Sequence, residues 1–213
     1  MTRSDWFRRT TWAPKDESDF FARLGRSRGE YHKSQYLRIQ AITLFDTGLR
    51  PHVMSALGLL ERLFAEYPDR SQLESAHLQA ALCHESLGGL SEAIRHFQLA
   101  IEAHSIYPNF HSGVSLEFPW FIVQHGLADR FDDALLVLQS AHLAFPVQQF
   151  KAAAIRSRIA QSRGEHLLAA ASAREALKSA AATGSQFRYH RSLGLVGEEY
   201  NDVVEELQRV AAT

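Results

Sequence analysis

The chain holds one cysteine, Cys83, in 213 residues. A single thiol excludes an intrachain disulfide and any cysteine-rich zinc site. Lysine is scarce too, four against 19 arginines, and nowhere do 18 uncharged apolar residues follow one another. The missing apolar run excludes a spanning helix, so no membrane association is expected. The opening stretch MTRSDWFRRTTW has no signal-peptide core. A cytoplasmic location is the expectation. Low-complexity tracts are absent, and a composition 46% hydrophobic and 22% charged is enough to bury a core.

The net charge of −1 is unevenly spread, with mildly basic ends and an acidic middle. Residues 1–50 carry ten basic and six acidic side chains, residues 51–150 four and 11, and residues 151–213 nine and seven. A nucleic-acid groove needs a continuous basic surface, which this pattern does not supply. The plain reading is solvated helix faces; the sharper one is end-to-middle contact between subunits. The arginine bias leaves an RNA-binding regulator as a distant alternative only.

Signatures of chemistry are missing as well. There is no G-x-S-x-G turn, no phosphate-cradling glycine loop, no H-E-x-x-H, and no pair among the 11 histidines at i, i+4. His77 and His84 share a helix face but stand two turns, about 10 Å, apart. That is too far for one zinc ion without ligands between them. Together with His125, they read as core or interface histidines. Cys83 lies on an apolar helix face with no evident base beside it. No catalytic residue, cofactor or metal ligand is therefore predicted, and the chain is not expected to be an enzyme.

What the sequence does have is a repeat. GGLSEAIRHFQLAIE, residues 88–102, puts Ala93, Ile94, Phe97, Ala100 and Ile101 on one helical face. The pattern returns around Ala134, around Ala169 and, more loosely, around Ala56. The central alanines are 37, 41 and 35 residues apart. Each is preceded by a second apolar helix: Tyr36 to Leu44, Leu78 to Leu82, Phe118 to Ile122, and Ala153 to Ile159. The small residues allow close helix approach, and one hairpin alone cannot bury both its faces.

The tract G-x-x-x-E-A-I-x-x-F-x-x-A-I, Gly88 to Ile101, resembles the second half of a tetratricopeptide repeat. The resemblance implies an all-α fold: about four helix hairpins stacked as a right-handed superhelix over residues 35–180. An N-terminal strap and capping helix (1–34) and a C-terminal loop and capping helix (181–213) would close it. The chain departs from the family at the glycine of each first helix, here Leu44, Ala81, Ile122 and Ser157. Phe121 stands where Leu is usual, and Pro108 falls three residues late. The stretches Asp5 to Trp12, Ser34 to Ala41 and Phe187 to His190 are similar to a group of bacterial repeat proteins, which lends no activity.

The family implies that partners bind on the concave face formed by the first helices. Carried over residue by residue, that face is Arg38, Ala41 and Phe45; Leu78, Leu82 and Glu85; Pro119 and Val123; Lys151, Ala154, Arg158 and Gln161. An apolar middle with cations at both ends suits a peptide with apolar side chains and an acidic end. The positions where some relatives clamp a terminal carboxylate are Ala41, Phe45, Leu116 and Trp120, which do not suit that role. The alternative is that flanking helices, or Phe187 to His190, fill the groove themselves. Pro119 lies inside a helix-period run, so the helix either starts there or kinks. The insertion Ser105 to Val114 lengthens that unit. Trp6, Phe7 and Trp12 are expected to pack as a strap across the first hairpin rather than to anchor a partner. The expected function is a protein-interaction adaptor or scaffold; the alternative is a self-associating structural subunit, a homo-oligomer.

Overall fold

Helix starts and stops are written locally. Proline is the first residue of two helices, Pro14 and Pro146, and the second of another, Pro51, where its fixed φ suits the helix and its missing N–H is no loss. Asp69 caps a fourth, accepting from the Ser71 amide at 3.0 Å. The computed structural model describes residues 5–106, 112–184, 190 and 192–213. The described residues form ten α-helices, two short 3-10 turns and no strand. The all-α class is as expected. No described helix is long and apolar enough to cross a membrane.

The helices are α1 (Pro14–Arg26), α2 (Glu30–Phe45), α3 (Arg50–Glu66), α4 (Arg70–Leu87), α5 (Leu90–Ile106), α6 (Val114–Gln124), α7 (Phe131–Leu138), α8 (Pro146–Ser162), α9 (His166–Ala180) and α10 (Asn201–Ala211). They fall into two compact units, Met1–Val114 and Ser115–Thr213, with the division inside the expected 35–180 array.

In the first unit α2 packs on α3, α3 on α4, and α4 on α5. Ala41, Ala56 and Ala93 are fully buried, as are Leu37, Leu44, Leu60, Leu63 and Phe97. The expected strap is present. Trp6 meets Phe20 and Tyr36 at ring-centroid distances of 5.3 and 5.0 Å, and Trp12 meets Phe20 at 5.4 Å. The strap's backbone is pinned reciprocally: the Arg9 amide donates to Gln40 Oε1 at 2.9 Å, and Gln40 Nε2 donates to the Arg9 carbonyl at 2.7 Å. Gln40 is fully buried, so both its amide groups need such partners. The Arg9 guanidinium is held by Asp16 and Asp19 of α1.

In the second unit α8 and α9 pair closely, and α10 covers α9. Ser157, one of the residues replacing the repeat glycine, is fully buried and donates to the Ala169 carbonyl at 2.9 Å. Among the described residues, α6 and α7 lack the close approach of the other three pairs. Eight residues give α7 little length to pair with. The helix α6 neither starts at Pro119 nor ends there: Pro119 is its sixth residue, leaving the Ser115 carbonyl without its usual helical donor. The Ser115 hydroxyl accepts from Ser140 Oγ at 2.9 Å. Residues 107–111 of the expected insertion, with Pro108, and residues 187–189 of the Phe187 to His190 segment lie outside the described residues.

A leucine at Ala93 has no space to enter. Ala93→Leu is expected to cost about 1–3 kcal/mol through overpacking, read as a lower urea midpoint at unchanged slope. An unchanged midpoint would show that α4 and α5 do not need this contact.

Candidate functional site

Two clusters of polar side chains stand out, one in each unit. In the first unit the cause is the turn between α4 and α5. Gly88 has φ +85°, a left-handed conformation that strains any residue with a Cβ. Its amide donates to the Glu85 carbonyl at 2.9 Å, and the Gly89 amide to the His84 carbonyl at 2.8 Å. The chain therefore reverses at once, and His84 at the end of α4 faces Glu92 and His96 at the start of α5. The potential ligand atoms of these three side chains all lie within 4.8 Å of one another.

The rings form a column. Phe64 stacks on His77 at 4.2 Å, His77 meets His96 at 5.3 Å, and His96 stacks on His84 at 5.2 Å. The interval that keeps His77 from His84 is thus filled by His96, from the next helix. His77 Nδ1 and His96 Nδ1 are 3.1 Å apart. Arg95 donates from Nε to Glu92 Oε2 at 2.8 Å and from Nη2 to His96 Nε2 at 3.1 Å. An arginine never accepts, so His96 Nε2 carries the lone pair. The His96 proton is then on Nδ1 and is donated to His77 Nδ1. Burial, reinforced by the Arg95 cation, pushes His77 and His96 down to about 4. Burial lowers His84 as well. At neutral pH the His77 and His96 rings are neutral. The column borders a recess of about 420 Å³ that also meets Glu61 and Ala65.

In the second unit α8 presents Lys151, Ala154, Arg158 and Gln161 along one face. Lys151 is buried and binds both oxygens of Glu117 on α6, at 2.7 and 2.8 Å. Arg158 binds both oxygens of Glu206 on α10, at 3.1 and 2.6 Å. Both cations lie over the Trp120 ring, at 5.2 and 5.5 Å. Tyr200, just before α10, packs against Phe150 and Trp120. Burial, with Glu117 and Glu199 adding to it, pushes its phenol up to about 12. Beside this ladder Val123, Phe131, Arg158, Gln161 and Glu206 line a groove of about 470 Å³.

The expected concave residues fare differently within each unit. Val123, Arg158 and Gln161 do open on one groove, whereas Pro119 is buried in α6. Ala154 is fully buried, and Lys151 is closed off by Glu117. In the first unit Leu78 is buried, while Phe45, Leu82 and Glu85 are half-buried. Arg38 donates to Gln72 Oε1 at 2.8 Å. The end of the α8 face is met by α10 through Glu206, so the tail helix reaches the surface expected to take a ligand. The His84–Glu92–His96 cluster is invisible to the helical spacing of histidine pairs, because its members come from two helices. Its sequence signals are Glu92 and His96 four residues apart and a two-glycine turn after His84.

No family model, curated protein or solved structure matches this chain.

Cys83 is fully buried, and burial alone pushes its thiol up to about 12. It is expected to resist iodoacetamide at pH 8 in the folded chain and to react fully in guanidinium. Fast labelling of the native protein would contradict the packing of α4.

Proposed function

We propose that the chain is a non-enzymatic protein-interaction module, an adaptor or scaffold acting in the cytoplasm. Its tetratricopeptide-like hairpins stack as a right-handed superhelix and take up a partner's peptide segment on their first helices. The groove beside Val123, Arg158 and Gln161 carries this reading. It has an apolar wall of Val123 and Phe131, and a guanidinium bound through two nitrogens to a carboxylate of its own chain. That fork geometry fits any carboxylate. A peptide with an acidic residue beside apolar ones would take the place of Glu206. Glu206 is the more exposed partner of that pair, so it is the one a peptide carboxylate would displace.

The reading predicts opposite effects for the two partners of that pair. Peptides selected from a displayed random library should combine an acidic residue with apolar ones. Glu206→Gln should bind them roughly fivefold more tightly, the equivalent of ~1 kcal/mol, and Arg158→Ala should lose them, both measured by fluorescence anisotropy. Selected peptides without acids, or equal affinity in the three chains, would end this reading.

Self-association has one observation in its favour. Leu167 is 88% exposed, and Leu168 and Leu136 are also open to solvent. Of these, Leu168 lines a recess together with Leu135, Leu138 and Ile159. Exposed leucines beside an apolar recess mark interaction surfaces. Light scattering should then show a dimer or larger species that Leu167→Glu returns to monomer; a monomeric wild type would leave the peptide-binding reading alone.

A further inference from the structure

We propose that His84, Glu92 and His96 form a binding site for a late first-row divalent metal ion, with Zn2+ as its representative. The claim rests on where the donors are and on what stands between them. Two imidazoles and one carboxylate converge from two helices, with ligand atoms within 4.8 Å. Zinc held at about 2.0–2.1 Å in tetrahedral geometry brings its ligands to roughly 3.3 Å from one another. Side-chain rotation would close the remaining gap, since His84 lies half-buried in the last turn of one helix and Glu92 exposed in the first turn of the next.

A positive group already lies among these donors. The Arg95 guanidinium donates to Glu92 Oε2 at 2.8 Å and to His96 Nε2 at 3.1 Å, which are two of the three ligand groups. It acts as the counter-cation of the metal-free chain. Its side chain is 57% exposed and bound on the surface side, so it swings into water when an ion arrives. His96 needs no change of tautomer, because its Nε2 lone pair already faces Arg95. On its other side Nδ1 is held by His77, whose ring is braced by Phe64 at 4.2 Å. A ring nitrogen fixed by a second residue is how metal-binding histidines are oriented. His77 is that positioning residue, and its place in the column keeps it out of the ligand set.

The donor chemistry selects the class of ion. Imidazole nitrogen with one carboxylate suits zinc, nickel, cobalt and ferrous iron, whereas Mg2+ and Ca2+ take all-oxygen sets. Three protein ligands leave at least one position for water, and the adjoining recess of about 420 Å³ gives that position access to solvent.

The test uses the full chain with Zn2+ in competition with a chromophoric chelator, and Co2+ as a spectroscopic probe. The wild type should take up one equivalent, with cobalt absorption bands of a low-coordinate nitrogen–oxygen site. Glu92→Gln and His84→Asn should each weaken binding roughly a hundredfold or more, beyond the loss typical of an orienting residue. Arg95→Ala should tighten it about tenfold by removing the resident charge. Glu92 is exposed, so the Gln variant leaves the fold intact, and far-UV circular dichroism checks this. Equal uptake by all four chains would place the ion on other histidines and overturn the proposal. So would no uptake by wild type and Arg95→Ala alike, or equal occupation by Mg2+ or Ca2+.

Discussion

Alanine at the helix crossings is the constraint from which the rest follows. Ala56, Ala93 and Ala169 are buried on the second helix of each closely paired hairpin. A larger side chain would separate the backbones and leave the flanking residues without neighbours. The closeness is measurable at one point: the Ser157 hydroxyl reaches the backbone carbonyl of Ala169 on the next helix. With no room at the crossing, the rotation of each helix about its axis is fixed. In α5, Ala93, Phe97 and Ala100 must face α4. His96, three residues after Ala93 and one before Phe97, is then set at the edge of that interface. It has no choice but to lie against His77 and His84.

The same rotation makes the electrostatics of the second unit. Ala153 and Ala160 of α8 are buried along with Ile155 and Ile159, and this turns Lys151 and Arg158 together to one side. Neither cation is left with water alone. Glu117 closes on Lys151 and Glu206 on Arg158, with the Trp120 ring beneath both. A buried cation such as Lys151 requires a partner, and its removal leaves an uncompensated charge. Each pair uses both oxygens of its carboxylate, and together they tie α8 to α6 through Lys151 and to α10 through Arg158.

Helical period and alanine spacing made most helices legible. The expected capping segments at Lys15 to Arg28 and Asn201 to Ala212 correspond to α1 and α10, within two residues at each end. The strap was legible too, because Trp6 and Trp12 carry more apolar surface than water tolerates. What escaped was set by pairs of residues distant in sequence. Nothing near His77 announces that His96, 19 residues later, will fill the space between it and His84. Glu206 gives no local sign that it will meet Arg158, 48 residues earlier. The pair α6–α7 is legible only in part. Pro119 marks α6 as irregular, but the shortness of α7 is hidden, because it stops at Leu138 although its apolar spacing continues to Ala141.

Both polar clusters share one feature, an arginine paired with a carboxylate of its own chain. Arg95 with Glu92 and Arg158 with Glu206 satisfy each other's charge while no ligand is present. The two proposed ligand groups carry opposite charges. At Arg95 the arginine is the more exposed partner, 57% against 52% for Glu92, and the proposed ion would replace it. At Arg158 the guanidinium lies over Trp120 and is less exposed than Glu206, so the proposed peptide would replace the carboxylate. Two pairs of the same composition would then admit opposite charges, according to which partner is the more deeply packed.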